Sequence, residues 1–294
     1  MATISSEDIK KLRERSGAGI LNCKKALEAA NGDIEAALDA MRKAGQDNAA
    51  KKEGRAAAEG LILSKVSTDQ RYAAMIEVNC ETDFVSRGAD FRSFVTAILD
   101  QAFTAKVSDR DALLAMPYQG SGGQSIEEAR RDLVAKLGEN IQVRRLAAVE
   151  TSGVLGVYLH GDRIGVLINL TKGTPELAKD LAMHIAASKP LVVNGKDLGE
   201  DILAREKAIY IAQSQATGKP ADIIEKMVAG KMSKFMSEVS LLGQGFIKDP
   251  NTLVAEVLKQ ANAEVDSFVR FELGEGIEKK VVNFAEEVMG ALRG

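Results

Sequence analysis

Tyr72-Ala73-Ala74-Met75-Ile76-Glu77-Val78, followed by Asn79-Cys80-Glu81-Thr82-Asp83-Phe84-Val85, is the stretch on which the reading of this chain turns. The first seven residues form an apolar run of strand length. A helical pattern starts near Asp90 and carries Phe91, Phe94, Val95, Ile98 and Leu99 on one face. Thr82-Asp83-Phe84-Val85 therefore connects a strand to a helix. Two readings are open for such a connection. The ring can sit in the core while the carboxylate caps the next helix, or a rigid hairpin can hold both side chains outward toward a partner.

Upstream, Leu61 to Val66 and Tyr72 to Val78 flank a polar turn at Thr68-Asp69, a hairpin signature. Downstream, Ser125 to Leu137 reads as a helix stopped by Gly138, and Ile141 to Leu146 as a strand. Arg144 and Arg145 are expected on the solvated face of that strand. The same order then recurs. Val154 to Leu159 and Ile164 to Leu170 flank Gly161-Asp162, and Thr174-Pro175 opens a helix with Leu177, Leu181 and Ile185. Thr252 to Gln260 supplies another helix, and Val265 to Leu273 a closing strand. Hairpin, helix, helix and strand thus occur twice, which predicts two duplicated α+β subdomains with antiparallel sheets. Val78 lies 13 positions before Phe91, whereas Ile168 lies 9 before Leu177. The four extra positions fall around Thr82 to Val85, so the subdomain fold is not expected to need them.

Three short helices are expected between residues 5 and 45. Ser5 with Asp8 caps the first, Ile20, Cys23, Leu27 and Ala30 stripe the second before Asn31-Gly32, and Asp33 caps the third. Lys51 to Arg55 reads as a polar linker, with Ala56 to Glu59 adding a helical turn. Residues 190–235 interrupt the second copy. There Ile202, Ile209, Ala212 and Ala216 form one stripe, Ile224, Met227, Val228 and Phe235 another, and Thr217-Gly218-Lys219-Pro220 a turn between two antiparallel helices. After Gly274-Glu275-Gly276, Phe284, Ala285, Val288 and Leu292 mark a C-terminal amphipathic helix. The expected divisions are 1–54, 55–150, 151–189, 190–235, 236–274 and 275–294.

Composition excludes several functions. Net charge is −3 and aromatics are 4% without tryptophan, which disfavours a general nucleic-acid surface. An RNA-binding translation protein would need a concentrated basic face. No run approaches the ~18 apolar residues of a membrane span, and Met1 to Asp8 is acidic where a secretory leader is basic, so a cytoplasmic protein is expected. Two separated cysteines and two histidines make a disulfide framework or zinc site improbable. No phosphate-binding loop, nucleophile elbow or His-Glu-x-x-His occurs. The reading is a binding protein with no cofactor. An enzyme built on Cys80 and a histidine would require a lowered thiol pKa.

These pieces resemble a known family. Leu12-Arg13-Glu14-Arg15-Ser16-Gly17-Ala18-Gly19 with Cys23-Lys24-Lys25-Ala26-Leu27 is similar to the N-terminal signature of the elongation factor Ts family, and Val78 to Val85 to its second signature. His184-Ile185-Ala186-Ala187-Ser188-Lys189-Pro190 and Phe271-Glu272-Leu273-Gly274-Glu275-Gly276-Ile277-Glu278 resemble further family blocks. Asn22 and Glu81 stand where relatives often carry Asp and Gln, and the loop from Pro117 to Gln124 is longer than in some relatives. The resemblance implies a UBA-like three-helix module, the duplicated α+β core, an inserted helical hairpin and a C-terminal helix. It also implies guanine-nucleotide exchange on elongation factor Tu, with Thr82, Asp83, Phe84 and Val85 dislocating the partner's magnesium. Secondary contacts are expected at Leu12, Ile20, Leu21 and His160. Neither direct nucleic acid nor membrane binding is implied, and a homodimer or a two-to-two complex with the partner stays open. His184 is expected to be packed.

Overall fold

The computed structural model describes residues 4–16, 18–120 and 122–278. Three helices come first, α1 (Ser6–Ser16), α2 (Ile20–Ala29) and α3 (Ile34–Lys52). Their ends follow from local chemistry. Ser5 Oγ accepts the Asp8 N–H at 3.0 Å, and Asp33 Oδ1 accepts those of Glu35 and Ala36 at 2.9 and 3.1 Å. After α2 the Gly32 N–H returns to Leu27 O at 2.8 Å with φ of 90°, a conformation that favours glycine. Leu12, Cys23, Leu27 and Ala37 form the small core, flanked by Ile9, Ile34, Leu38 and Met41. The expected linker is a correction: Lys51 and Lys52 close α3, where cations suit the helix C-terminus. Ala56 to Ala58 add no helical turn, and Glu59 already belongs to a strand. Ala57 and Ala58 are buried just ahead of β1, outside any helix, so packing overrides alanine's helix preference.

The first copy follows as β1 (Glu59–Val66), β2 (Tyr72–Cys80), α4 (Asp83–Arg87), α5 (Ala89–Ala105), α6 (Arg110–Ala115), α7 (Ile126–Leu137) and β3 (Ile141–Glu150). The strand order is β1-β2-β3, and all nine residues of the central β2 are buried. Phe91, Phe94, Val95, Ile98 and Leu99 are the buried face of α5. Each fully buried aliphatic or aromatic side chain there is worth ~1.5–3 kcal/mol of transfer free energy. Ser125 and Glu128 make a reciprocal capping box on α7, and Gly138 ends it at φ of 81°.

The second copy is β4 (Val154–His160), β5 (Ile164–Lys172), α8 (Pro175–Ser188), α9 (Glu200–Gln215), α10 (Ala221–Glu238), β6 (Gly245–Phe246), β7 (Asp249–Leu253), α11 (Val254–Gln260) and β8 (Glu264–Glu272). Its sheet runs β4-β5-β8, antiparallel throughout, with Val154 opposite Leu170 and Ile164 opposite Glu272. In both copies the second strand of the hairpin is central. Val166, Ile168 and Leu170 pack on Leu181 and Ile185 of α8 and on Val254 and Leu258 of α11. Helix α11 starts two residues later than expected, because Asp249–Leu253 pairs with β6.

By internal packing the chain divides into two units, residues 4–63, 76–146 and 273–278 in one and 64–75 with 147–272 in the other. Two expectations need correction within them. The α9 stripe is misplaced: Ile202 and Ile209 are exposed, and only Ser214 of α9 and Val228 of α10 are buried in the helical pair. Leu203 and Ile211 instead line a groove with Ile224, Val228 and Met232. Arg144 and Arg145 are not a solvated face. Both bind the fully buried Glu77 carboxylate, Arg144 at 3.0 Å, because a carboxylate in the middle of β2 must be paired. The expected helix around Phe284 to Leu292 lies outside the described residues.

Candidate functional site

Of the four positions expected to be extra in the first copy, Asp83, Phe84 and Val85 belong to a helix of their own, α4 (Asp83–Arg87), and Thr82 is its cap. In the second copy Thr174 caps α8 directly, its Oγ1 accepting the Leu177 N–H at 3.2 Å. In the first, Thr82 caps α4 in the same way, accepting the Val85 N–H at 3.4 Å, and Gly88 then separates α4 from α5. The connection is thus one helical turn inserted between a threonine cap and the packed helix. It is not the hairpin expected in the outward-facing reading.

Phe84 is 83% exposed on this turn, the most exposed large apolar side chain among the described residues. Folding alone gives no reason to leave such a side chain in water, since its burial would be favourable by ~1.5–3 kcal/mol. The reading in which the ring sits in the core is thereby removed. Asp83 is half exposed and pairs with Arg87 at 2.9 Å one turn on. Val85 is half-buried, and Ser86 is buried with its hydroxyl donating to Asp83 O at 3.0 Å. One side of the turn therefore faces the protein, and the ring faces away.

The turn is braced from a distant segment. Glu139 accepts the Thr82 N–H on Oε2 at 3.0 Å and the Thr82 hydroxyl on Oε1 at 2.6 Å. In return, Glu81 Oε1 accepts the Asn140 N–H at 2.6 Å. Asn140 Nδ2 donates to Glu53 O at 3.2 Å and Arg55 O at 2.8 Å, which ties in the chain leaving α3. Arg55 itself reaches Glu81 at 3.5 Å. The Cys80 thiol donates to Thr82 O at 3.1 Å. Burial, with the Glu139 charge nearby, pushes that thiol up to about 12. A thiol held protonated and fully buried is no nucleophile, so the alternative of an enzyme built on Cys80 falls.

The other expected contacts divide. Ile20 and Leu21 form an exposed apolar pair on α2, 55% and 73% accessible, while Cys23 and Leu27 face the core. Ile20 is therefore not part of the buried stripe. Leu12 has no exposed surface and lies at the centre of the three-helix core, where it holds the module together. His160 ends β4 in the other unit, exposed, with Nδ1 3.2 Å from the Tyr158 hydroxyl and the two rings stacked. His184 is fully buried. Its Nδ1 accepts the Ile247 N–H at 3.2 Å and its Nε2 lies 3.0 Å from Gln244 Oε1, which selects the neutral Nε2–H tautomer. The residues that sequence reasoning missed are Glu139 and Asn140. They lie 57 and 59 positions beyond Thr82 and Glu81, and no local pattern joins the two pairs.

Among the described residues no group of three or more His, Cys, Asp or Glu is arranged to hold a metal. No helix of the described residues is long and apolar enough to cross a membrane.

The family model described as "Elongation factor TS" matches residues 81–275, starting at the segment that leads into α4. The chain is 52% identical over 293 residues to elongation factor Ts of Legionella pneumophila (strain Philadelphia 1), covering 100% of both proteins. It is 49% identical over 294 residues to elongation factor Ts of Coxiella burnetii (strain RSA 493), with 100% of this chain and 99% of the relative covered. Elongation factor Ts of Thioalkalivibrio sulfidiphilus is 49% identical over 294 residues, with 99% of each covered. With an exposed phenylalanine on a braced turn, a duplicated α+β core and full-length identity near one half, the chain belongs to the elongation factor Ts family.

Proposed function

We propose that the protein binds GDP-loaded elongation factor Tu in the cytoplasm and accelerates GDP release, so that GTP can take the empty site. The observation that carries this reading is the 83% exposure of Phe84 on a turn whose cap, Thr82, is held by Glu139 through both its N–H and its hydroxyl. A rigid apolar wedge of this kind suits insertion between elements of a partner near its nucleotide. Magnesium in such partners bridges phosphate and protein oxygens and tolerates little departure from octahedral geometry. A small displacement by Phe84, with Asp83 acting on groups beside it, strips GDP of its counter-charge. The protein transforms no substrate. It lowers the barrier to release and leaves the overall nucleotide equilibrium unchanged.

Division of labour follows the modules. Ile20 and Leu21 of the N-terminal module (1–54) grip the partner's nucleotide-binding domain, the first core subdomain (55–150) presents Thr82 to Val85, and His160 adds a contact from the second subdomain. The segment 275–294 returns to the partner. Linkage makes the effect reciprocal: nucleotide weakens bound factor by the same free energy, ~1–3 kcal/mol for typical coupled sites. The test is release of fluorescent GDP from elongation factor Tu with and without this protein. Acceleration is expected, and an unchanged rate at saturating protein rules the proposal out.

A further inference from the structure

Thr82 is the most fully engaged polar residue at the base of α4. Its N–H and hydroxyl both go to Glu139, its Oγ1 receives the Val85 N–H, and its carbonyl receives Cys80 Sγ and the Ser86 N–H, the last at 3.3 Å. Glu139 follows directly on Gly138, the left-handed residue that ends α7, so its backbone is set by a packed helix terminus. Next to it, Asn140 is buried and bonded to Glu81 and to the carbonyls of Glu53 and Arg55. The carboxylate of Glu139 thus sits on a fixed segment and holds both ends of a two-point grip on the cap of α4. Removal of this grip leaves α4 a turn of five residues, too short to hold a direction by itself.

We propose that Glu139 is a positioning residue for exchange: its carboxylate fixes the orientation of α4 and so the direction in which Phe84 projects. It touches neither partner nor nucleotide and acts only through Phe84. The charge-assisted pair of bonds is what the role requires, because both Thr82 groups are donors and a carboxylate offers an acceptor to each. Glutamine has the same size but one acceptor oxygen. In Glu139→Gln the hydroxyl of Thr82 must turn to accept from the amide N–H₂ if the backbone N–H is to keep the one remaining oxygen, so the charge-assisted pair is lost and the cap loosens while the surrounding packing stays. The inference rests on Phe84 being the wedge.

The experiment uses full-length Glu139→Gln, Phe84→Ala and the double variant in stopped-flow release of fluorescent GDP from elongation factor Tu over a range of factor concentrations. Glu139→Gln is expected to lower the saturating release rate about tenfold, the scale on which misplacement of a functional group acts. The concentration giving half the maximal rate should change by less than about threefold, because Ile20 and Leu21 still bind. Placed on the Phe84→Ala background it should slow release by less than about twofold further, since residues acting in series are not additive. A saturating rate equal to the parent's, or a slowing that multiplies in full with that of Phe84→Ala, overturns the positioning role. Phe84→Ala releasing GDP as fast as the parent is a different failure, that of the wedge itself. Should Glu139→Gln not fold, Glu139→Asp keeps both acceptor oxygens but shortens their reach to Thr82 by one methylene and is read by the same criteria.

Discussion

Arg144 donates to Oε1 of Glu77 at 3.0 Å, and Glu77 has no exposed surface at all. Arg145 binds the other carboxylate oxygen, and the Gly274 N–H adds a bond to Oε1 at 3.0 Å. Arg145 also reaches the Glu275 carboxylate at 3.3 Å, while Arg144 bonds the Glu275 carbonyl. A charge in the centre of β2 thus anchors the backbone at the end of Leu273. Each arginine remains about one quarter exposed, so the cation ends keep water while the carboxylate loses it.

Loss of one arginine leaves the buried carboxylate with half its charge partners. Arg144→Ala is expected to destabilise the protein by ~1.5–3 kcal/mol, the range for a hydrogen bond to a charged group. Urea unfolding measures it directly. Glu77→Gln should be the milder change at neutral pH, because Arg144 and Arg145 can turn to solvent and to Glu275. The reverse ranking counts against Glu77 as the buried centre of the network.

Phe84 contributes reach and almost no burial. Phe84→Ala should change unfolding free energy by no more than about 0.5 kcal/mol, as exposed substitutions do. The same variant should release GDP from elongation factor Tu far more slowly than the parent. A fall in melting temperature comparable to that of a core substitution would place the ring in the fold and remove it from the site.

Gly156 marks a close approach of α8 to β4. A Cβ there would lie 2.4 Å from the Ala178 carbonyl oxygen and 2.7 Å from Ile168 Cγ2. Backbone on one side leaves little room for relief. Gly156→Ala is expected to cost ~1–3 kcal/mol through overpacking, read from the urea midpoint at constant m-value. No loss would mean that α8 can shift outward.

Buried His184 should impose a pH dependence. Burial lowers its pKa below the ordinary value, with only Gln244 opposing, so the unfolded chain binds the proton first as pH falls. Stability from the neutral ring is complete above about pH 6.5 and is lost as pH falls below that, with a limiting slope of about 1.4 kcal/mol per pH unit for one proton. Melting temperatures between pH 7.5 and 5 should fall more steeply in the parent than in His184→Gln. Equal slopes would show that the ring is already protonated, or freely so, in the native state.

Much of the architecture was legible from pattern. Capping residues at Ser5, Asp33, Ser125 and Thr174 predict helix starts because their side chains answer backbone donors a few residues away. Periodicity over Phe91 to Leu99 predicts the buried face of α5, and the repeated order of elements predicts two sheets, whose common strand order the structure supplies. Errors fell where tertiary packing competes with local preference. Ala56 to Ala58 gave up helix, with Ala57 and Ala58 buried ahead of β1, and the α9 stripe was read from residues that the partner helix does not cover.

For the site itself, the sequence determined that the first connection carries four more positions than the second, because that follows from counting between two like patterns. The structure places the inserted turn after Thr82, whose counterpart Thr174 caps α8 directly. The sequence also determined family membership, since the signature blocks are contiguous in the chain. Only the tertiary structure decided that Phe84 points into solvent on a helical turn and that Leu12 does not. Exposure depends on which neighbours cover a side chain, and those neighbours come from elsewhere in the sequence. The brace is the clearest case: Glu139 meets Thr82 across 57 positions because α5, α6 and α7 fold back between them, and no local rule connects residues brought together by chain reversal.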